Sequence, residues 1–252
     1  MEKEEKVSKE PTEKRAIVSS SGDLIEFDEH VSASGSAKIS GGKLDKSIRI
    51  SGSGKINGTL ECNGLTSSGS LKGSGDLTSH GDVSGSGSFN IAGELYVDGS
   101  ADFSGSTQIG NLVKVQGTLI ASGSFKAGHF VGADEGIQLT GSSDINGNLS
   151  SGHNITINGS TDIEGNVVGE DVLFGLSEHI KKKQHFRVRG SIRAKNDVKI
   201  NRTHVEGDVK GRNITLGRGT EILGNVYYVD NVEIDKKAKL ADEPTQIQQD
   251  EL

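Results

Sequence analysis

The 252-residue chain carries 36 glycines, 2 prolines, no tryptophan and 31% hydrophobic residues, with a formal net charge of −7. Its single cysteine, Cys62, excludes an internal disulfide framework and a cysteine-based zinc site. No apolar run approaches the ~20 residues that a membrane-spanning helix needs. Low hydrophobicity with abundant Gly and Ser would signal disorder, but here these residues fall on a strict period.

Residues 1–20 read as a disordered, charged tail. The opening MEKEEKVSKEPTEKR holds five acidic and five basic residues, no apolar segment of a signal peptide and no basic amphipathic face. A continuous β-helix is expected over 21–241, with a Ser/Gly-rich portion at 21–132. The pattern sets in with Val31/Ala33/Gly35, Ala37/Ile39/Gly41, Ile48/Ile50/Gly52 and Leu60/Cys62/Gly64. Single-residue slips near Gly42 and Leu65 are the size of ordinary bulges.

From Leu65 an apolar residue opens each block of six: Leu65, Leu71, Leu77, Val83, Phe89, Leu95, Ala101. The fifth position of those blocks is glycine, from Gly69 through Gly105, and the register runs on to Thr161/Ile163/Gly165. Seventeen consecutive blocks carry no insertion. Positions one and three share a parity, so in an extended strand both point to one face, while Ser, Thr, Asp, Lys and Asn take the other. A corner every six residues needs φ > 0 or very close packing, and glycine supplies both. Asn111, His129 and His153 replace the corner glycine, and these types tolerate the left-handed region. Three such faces make an 18-residue coil, and the echo is visible: Ile137-Gln-Leu139 returns as Ile155-Thr-Ile157.

The second portion, 133–241, repeats with richer side chains, as in Val198/Ile200, Ile214/Leu216 and Val232/Ile234. Between Val172/Phe174 and Phe186/Val188 the count runs about seven residues long, which predicts an ejected loop near 176–186 with one helical turn at about Ser177–Lys183. Residues 242–252 read as a second disordered tail, with Pro244 stopping ordered structure. The fold class expected is all-β: a single-stranded β-solenoid of about 12 coils with flexible termini. Between Ser67 and Gly87 the inward positions offer leucines, glycines and serines, so the coils after Phe186 are expected to be the stiff end.

The chemistry-bearing residues do not gather. His30, His80, His129, His153 and His204 lie isolated, and His179 and His185 flank Lys181-Lys182-Lys183, whose charge repels a metal. Asp98 with Asp102, and Asp162 with Glu164, are the carboxylate pairs that could serve acid–base work, but both sit on the outward parity. The Gly-x-Gly strings lack the helix and lysine of a phosphate loop. No catalytic residue, metal or cofactor is therefore expected, and the reading is not an enzyme. Charge is segregated: 8 Lys/Arg against 19 Asp/Glu from Ala16 to Glu178, then 12 against 3 from His179 to Arg218. Such a band suits an anionic partner, contacted through Lys181, Lys182, Lys183, Arg187 and Arg189. That partner is a neighbouring copy or an anionic membrane surface. Nucleic acid ranks lower, since Phe186 is the lone aromatic in the band.

The blocks Val198-Lys-Ile200, Val205-Glu-Gly207-Asp-Val209, Asn213-Ile-Thr-Leu216, Ile222-Leu-Gly224-Asn-Val226 and Val232-Glu-Ile234 resemble the bactofilins, polymer-forming bacterial cytoskeletal proteins. Similar phrasing stands at Ile145-Asn-Gly147-Asn-Leu149 and Ile163-Glu-Gly165-Asn-Val167. The resemblance covers Ala133 to Leu240. It implies a right-handed β-helix of triangular section that polymerises end to end without nucleotide, as a scaffold for cell shape, wall synthesis, motility organelles or protein localisation. The expected location is cytoplasmic, either free or peripheral at the inner face of the membrane. The ends of the solenoid point the same way. An open coil leaves strand N–H and C=O groups unpaired, and no polar cap is evident before the first coil or after the last. Leu24, Ile25, Phe27 and Val31 at one end, with Val232, Ile234 and Leu240 at the other, are the expected polymer interface. The competing readings are a surface stalk or adhesin, which would carry a signal peptide, and a hexapeptide-repeat acyltransferase. The latter places small residues where Thr66, Lys72 and Thr78 stand here.

Overall fold

Alternating inward and outward residues along short extended segments leave each strand one option for its unpaired edges: the strand one turn away. In the computed structural model, which describes residues 14–176 and 184–252, that is what happens. Ser70–Gly73, Leu77–Ser79 and Val83–Gly85 are the three strands of one turn. Each pairs in parallel with its counterpart on the next turn, at Ser88–Ile91, Leu95–Val97 and Ala101–Phe103. We call these the first, second and third faces. The register repeats every 18 residues, as in Ser70↔Ser88↔Ser106↔Ser124↔Ser142, and tightens to 17 in Ile192↔Val209↔Val226. The chain is thus a β-solenoid of about 10 turns, with no α-helix among the described residues.

The corners explain the glycines, though not through the left-handed region. Gly105, Gly123, Gly141 and Gly159 stack one above another, and a Cβ on any of them would collide with the carbonyl of the glycine one turn before. Close packing, and not positive φ, imposes glycine there. The expectation that Asn111, His129 and His153 sit left-handed is accordingly corrected, because Arg202 is the one non-glycine residue with positive φ among those described. The tight position has moved one residue back, to Gly110, Gly128 and Gly152, each against the backbone of the preceding turn. The residue after many corner glycines binds the turns together. Side-chain oxygens of Asp76, Asp82, Asn148, Asn166 and Asp208 each accept the backbone N–H of a residue one turn on, at 2.8 Å.

Inside, one ladder of side chains runs the length of the rod. Its thin stretch near Ser67–Gly87 is filled from the next turns. Phe89 and Phe103 are fully buried, their rings 5.0 Å apart, and both lie against the bare Cα of Gly85. Ile91 does the same over Gly73. After the loop every face contributes aliphatic residues to the core, with Val188, Ile192, Val198, Ile200, Val205, Val209, Ile214 and Leu216 buried beside Phe186, Thr203 and Thr220.

Three boundaries differ from the sequence reading. The stretch 14–20, assigned to the N-terminal tail, is folded, because the chain reverses at Asp28–Glu29 and lays an arm back on the first turn. Val18–Ser20 pairs antiparallel with Ala37–Ile39 and Leu24–Glu26 with Val31–Ala33, in one continuous register. Residues 21–30 are therefore the returning arm and tip of a hairpin and not a coil, which brings the count below the expected 12. At the other end, Thr245–Gln246 pairs with Tyr227–Tyr228 and Ile247 N–H donates to Tyr228, so 242–252 is a partial turn. The free edge at Tyr227–Tyr228 gives Thr245 and Gln246 partners despite Pro244. The expected loop is present in register: Thr161 pairs with Phe186, a span of 25 residues, and the excess leaves the coil after Phe174. The helical turn expected near Ser177–Lys183 lies outside the described residues.

Candidate assembly surfaces at the ends and along the side

At the N-terminal end the hairpin arm closes the edge on all three faces. Beyond the two strand pairs, Ala16 N–H donates to Lys43 and Lys43 N–H to Lys14, both at 2.8 Å. The arm fits loosely. Ala16 is buried, but Ile17 is 70% exposed and Leu24, Ile25 and Phe27 are 44–51% exposed. A hollow of about 330 Å³ opens at the rod's tip, walled by Ala16, Val18, Leu24, Val31 and Leu44. Of the four residues assigned to this interface, Leu24, Ile25 and Phe27 are on the surface, while Val31 lies buried beneath the arm at 5% exposure. The expectation of an uncapped first coil is corrected: the antiparallel arm is a cap.

The C-terminal end is closed over two faces only. Lys239–Leu240 covers the first face and Thr245–Gln246 the second. The third-face segment of the last turn, Asn231–Ile234, pairs with Asn213–Leu216 on one side and, among the described residues, with no strand on the other. Ile234 is 42% exposed and Val232 and Leu240 are half-buried.

Along the side, the band of basic residues is more neutral than its composition suggests. Arg187 forms a salt bridge with Glu206 at 2.7 Å, which raises the guanidinium's pKa and holds the carboxyl below its ordinary range. Arg189 pairs with Glu164 and Arg212 with Asp230. Of the residues assigned to an anionic partner, Arg187 and Arg189 are therefore engaged within the chain, and Lys181, Lys182 and Lys183 lie outside the described residues. Arg193 and Lys210 are register neighbours on the second face, with no ion pair among the described residues, and Lys210 sits 4.9 Å from the Tyr227 ring centre.

Three of the histidines, His80, His153 and His204, are not isolated either. Their partners stand one turn away, as the 18-residue repeat would have allowed one to find. His80 places Nε2 3.0 Å from Glu61 and Nδ1 2.8 Å from Asp98, while Lys43 reaches the same Glu61 oxygen at 3.0 Å and Gln116 donates to Asp98 at 2.8 Å. His153 pairs likewise with Glu170 and His204 with Glu221. Carboxylates accept and never donate, so both His80 nitrogens must carry protons for both bonds to form. Hydrogen bonding to Glu61, then to Asp98, raises the His80 pKa. The resulting stability is complete below the ordinary value near ~6.5 and is lost as pH rises through the raised value. Because the side chain is 45% exposed, the gain is expected to stay under about 1 kcal/mol. An NMR titration is expected to give a His80 midpoint above that of a model peptide; a midpoint at or below it would remove the bridge. The carboxylates weighed for acid–base work are engaged along the rod: Asp98 holds His80, Glu164 holds Arg189, and Asp162 stands in register between Asp144 and Arg187.

No family model, curated protein or solved structure matches the chain. No helix among the described residues is long and apolar enough to cross a membrane.

Proposed function

We propose that the chain is a structural protein whose rods join end to end into filaments without nucleotide, serving as a bacterial scaffold of the bactofilin kind. The reading includes the right-handed, triangular winding that the resemblance implies, and a cytoplasmic site of action. The observation that carries it is the third-face edge Asn231–Ile234, a strand with one side unpaired among the described residues and Ile234 42% exposed beside it. An unpaired edge is a template for another chain, and the apolar side chain that flanks it gains by burial. A copy of the same chain is the partner that presents the matching turn. The partly neutralised basic band makes end contact the stronger of the two routes to assembly, and leaves Arg193, Lys195, Lys210 and Arg218, which have no ion pair among the described residues, for contact with anionic surfaces.

Ile234→Lys tests the reading. The site is already exposed, so the rod is expected to keep its β content and melting temperature, while electron microscopy shows single or paired rods in place of filaments. Filaments of normal length from this variant would dismiss the edge as the joining surface.

A further inference from the structure

Resting on that filament reading, we propose that the arm formed by residues 14–27 is a displaceable cap, which keeps the N-terminal end closed until a second copy of the chain takes its place by strand exchange. The arm occupies the groups an incoming turn would need, by pairing with Ala37–Ile39, with Val31–Ala33 and with Lys43. It also runs the wrong way. The pairings from turn to turn are parallel, whereas both strands of the arm, on two of the three faces, are antiparallel, and a single bridge, Arg15 to Lys43, is parallel. A copy stacked on the arm would therefore meet an edge of different hydrogen-bond geometry, and the solenoid could not continue through the joint.

The arm is also the segment built to let go. Its sole buried apolar residue is Ala16, and the hollow behind it leaves Leu24 half in solvent. The inner strand of the same hairpin instead buries Val31, Ala33, Ala37 and Ile39. The tip is a two-residue loop, Asp28–Glu29, closed by Phe27 N–H to His30 at 2.8 Å. Two-residue hairpins favour turns with φ > 0, and neither Asp28 nor Glu29 has it. The fastenings are polar or exposed: Lys46 binds Glu26 at 2.8 Å and the Phe27 carbonyl at 2.6 Å, and the Phe27 ring stacks on His30. Local opening begins where buried apolar contact is least, and here that is the arm. Release would bare a parallel-ready edge and the apolar wall formed by Val31 and Leu44.

The test uses the full-length chain. Val18 and Ile39 face each other between hydrogen-bonded pairs, since Ser40 N–H donates to Ile17, so Val18→Cys with Ile39→Cys can be oxidised to lock the arm. Cys62 does not compete: it is 1% exposed, and burial pushes its thiol pKa up to about 11. Ser19→Pro, opposite Lys38, removes an N–H from the arm and unlatches it. The locked protein is expected to lose all species longer than two rods in electron microscopy and to recover them on reduction, while Ser19→Pro assembles faster than wild type. Normal filaments from the oxidised protein, with the disulfide verified, would overturn the cap, as would a Ser19→Pro chain that assembles no faster. Single rods from wild type, Ser19→Pro and the reduced protein alike would instead overturn the filament reading, and the cap with it.

Discussion

Phe103→Ala is expected to lower the unfolding free energy by about 3–5 kcal/mol, measured by denaturant unfolding followed by circular dichroism. The ring is fully buried, packed 5.0 Å from Phe89 and 6.5 Å from Phe125. It occupies room that the turn before leaves empty, because Gly85 offers no side chain there. Truncation at most sites is softened by neighbours moving in. Here one wall of the hole is the Gly85 backbone, held by ladders on both sides, which cannot move in, and the Phe89 and Phe125 rings are left to close the gap from above and below. Phe103→Leu, which keeps most of the volume, is expected to cost roughly a third as much. A loss below about 1 kcal/mol for the alanine variant would mean that the core collapses around the gap.

The second large effect is expected at Gly159. A Cβ there overlaps the Gly141 carbonyl oxygen, and Gly141 itself rests on Gly123. The clash is with main chain, so no rotamer relieves it, and separating the two turns would break their ladder. Gly159→Val is expected to destabilise by about 3 kcal/mol and to lower the melting temperature by several degrees. Gly58→Ala is the control: its φ of +93 strains an alanine, but a Cβ there meets no heavy atom closer than 3.7 Å. The loss is expected to be near 1 kcal/mol. Equal losses at the two sites would show that backbone conformation and not stacking selects glycine at corners.

Why the solenoid itself could be read from the chain follows from its physics. Each face is decided by a local alternation, and the next face repeats it, so Leu71, Leu77 and Val83 announce a core with no long-range information. What failed to show was whatever depends on the neighbour one turn away. His80 looked isolated because Glu61 and Asp98 are distant in sequence, and Asp82 or Asn148 looked like solvated polar residues when they bind the next turn's backbone. Arg187 and Arg189 looked like free cations for the same reason. The N-terminal hairpin was hidden differently. Residues 16–27 carry the same mixture of apolar residues and serines as a coil, and alternation gives no direction of travel. The reversal is set by the pairing of Phe27 with His30 across a tip that carries no turn glycine. At the C-terminal end Pro244 suggested an ending, yet a proline can enter a strand at its margin, and Thr245 follows it into the ladder.

The constancy of register has a further consequence for how such a chain can change in length. Ser106 and Ser124 stand in the same place on successive turns, as do Gly105 and Gly123. Excising residues 106–123 would join Gly105 to Ser124 and reproduce the corner already present, with every remaining side chain facing as before. The rod would shorten by one inter-strand spacing, about 4.8 Å. A deletion of an odd number of residues would turn core residues outward from that point on, unless the deficit were absorbed at a corner, as it is where the register tightens to 17 between Ile192, Val209 and Val226. The molecule is in this sense a ruler graduated in whole turns, on which duplication or loss of a single graduation is the smallest change that leaves every face stacked on its own counterpart.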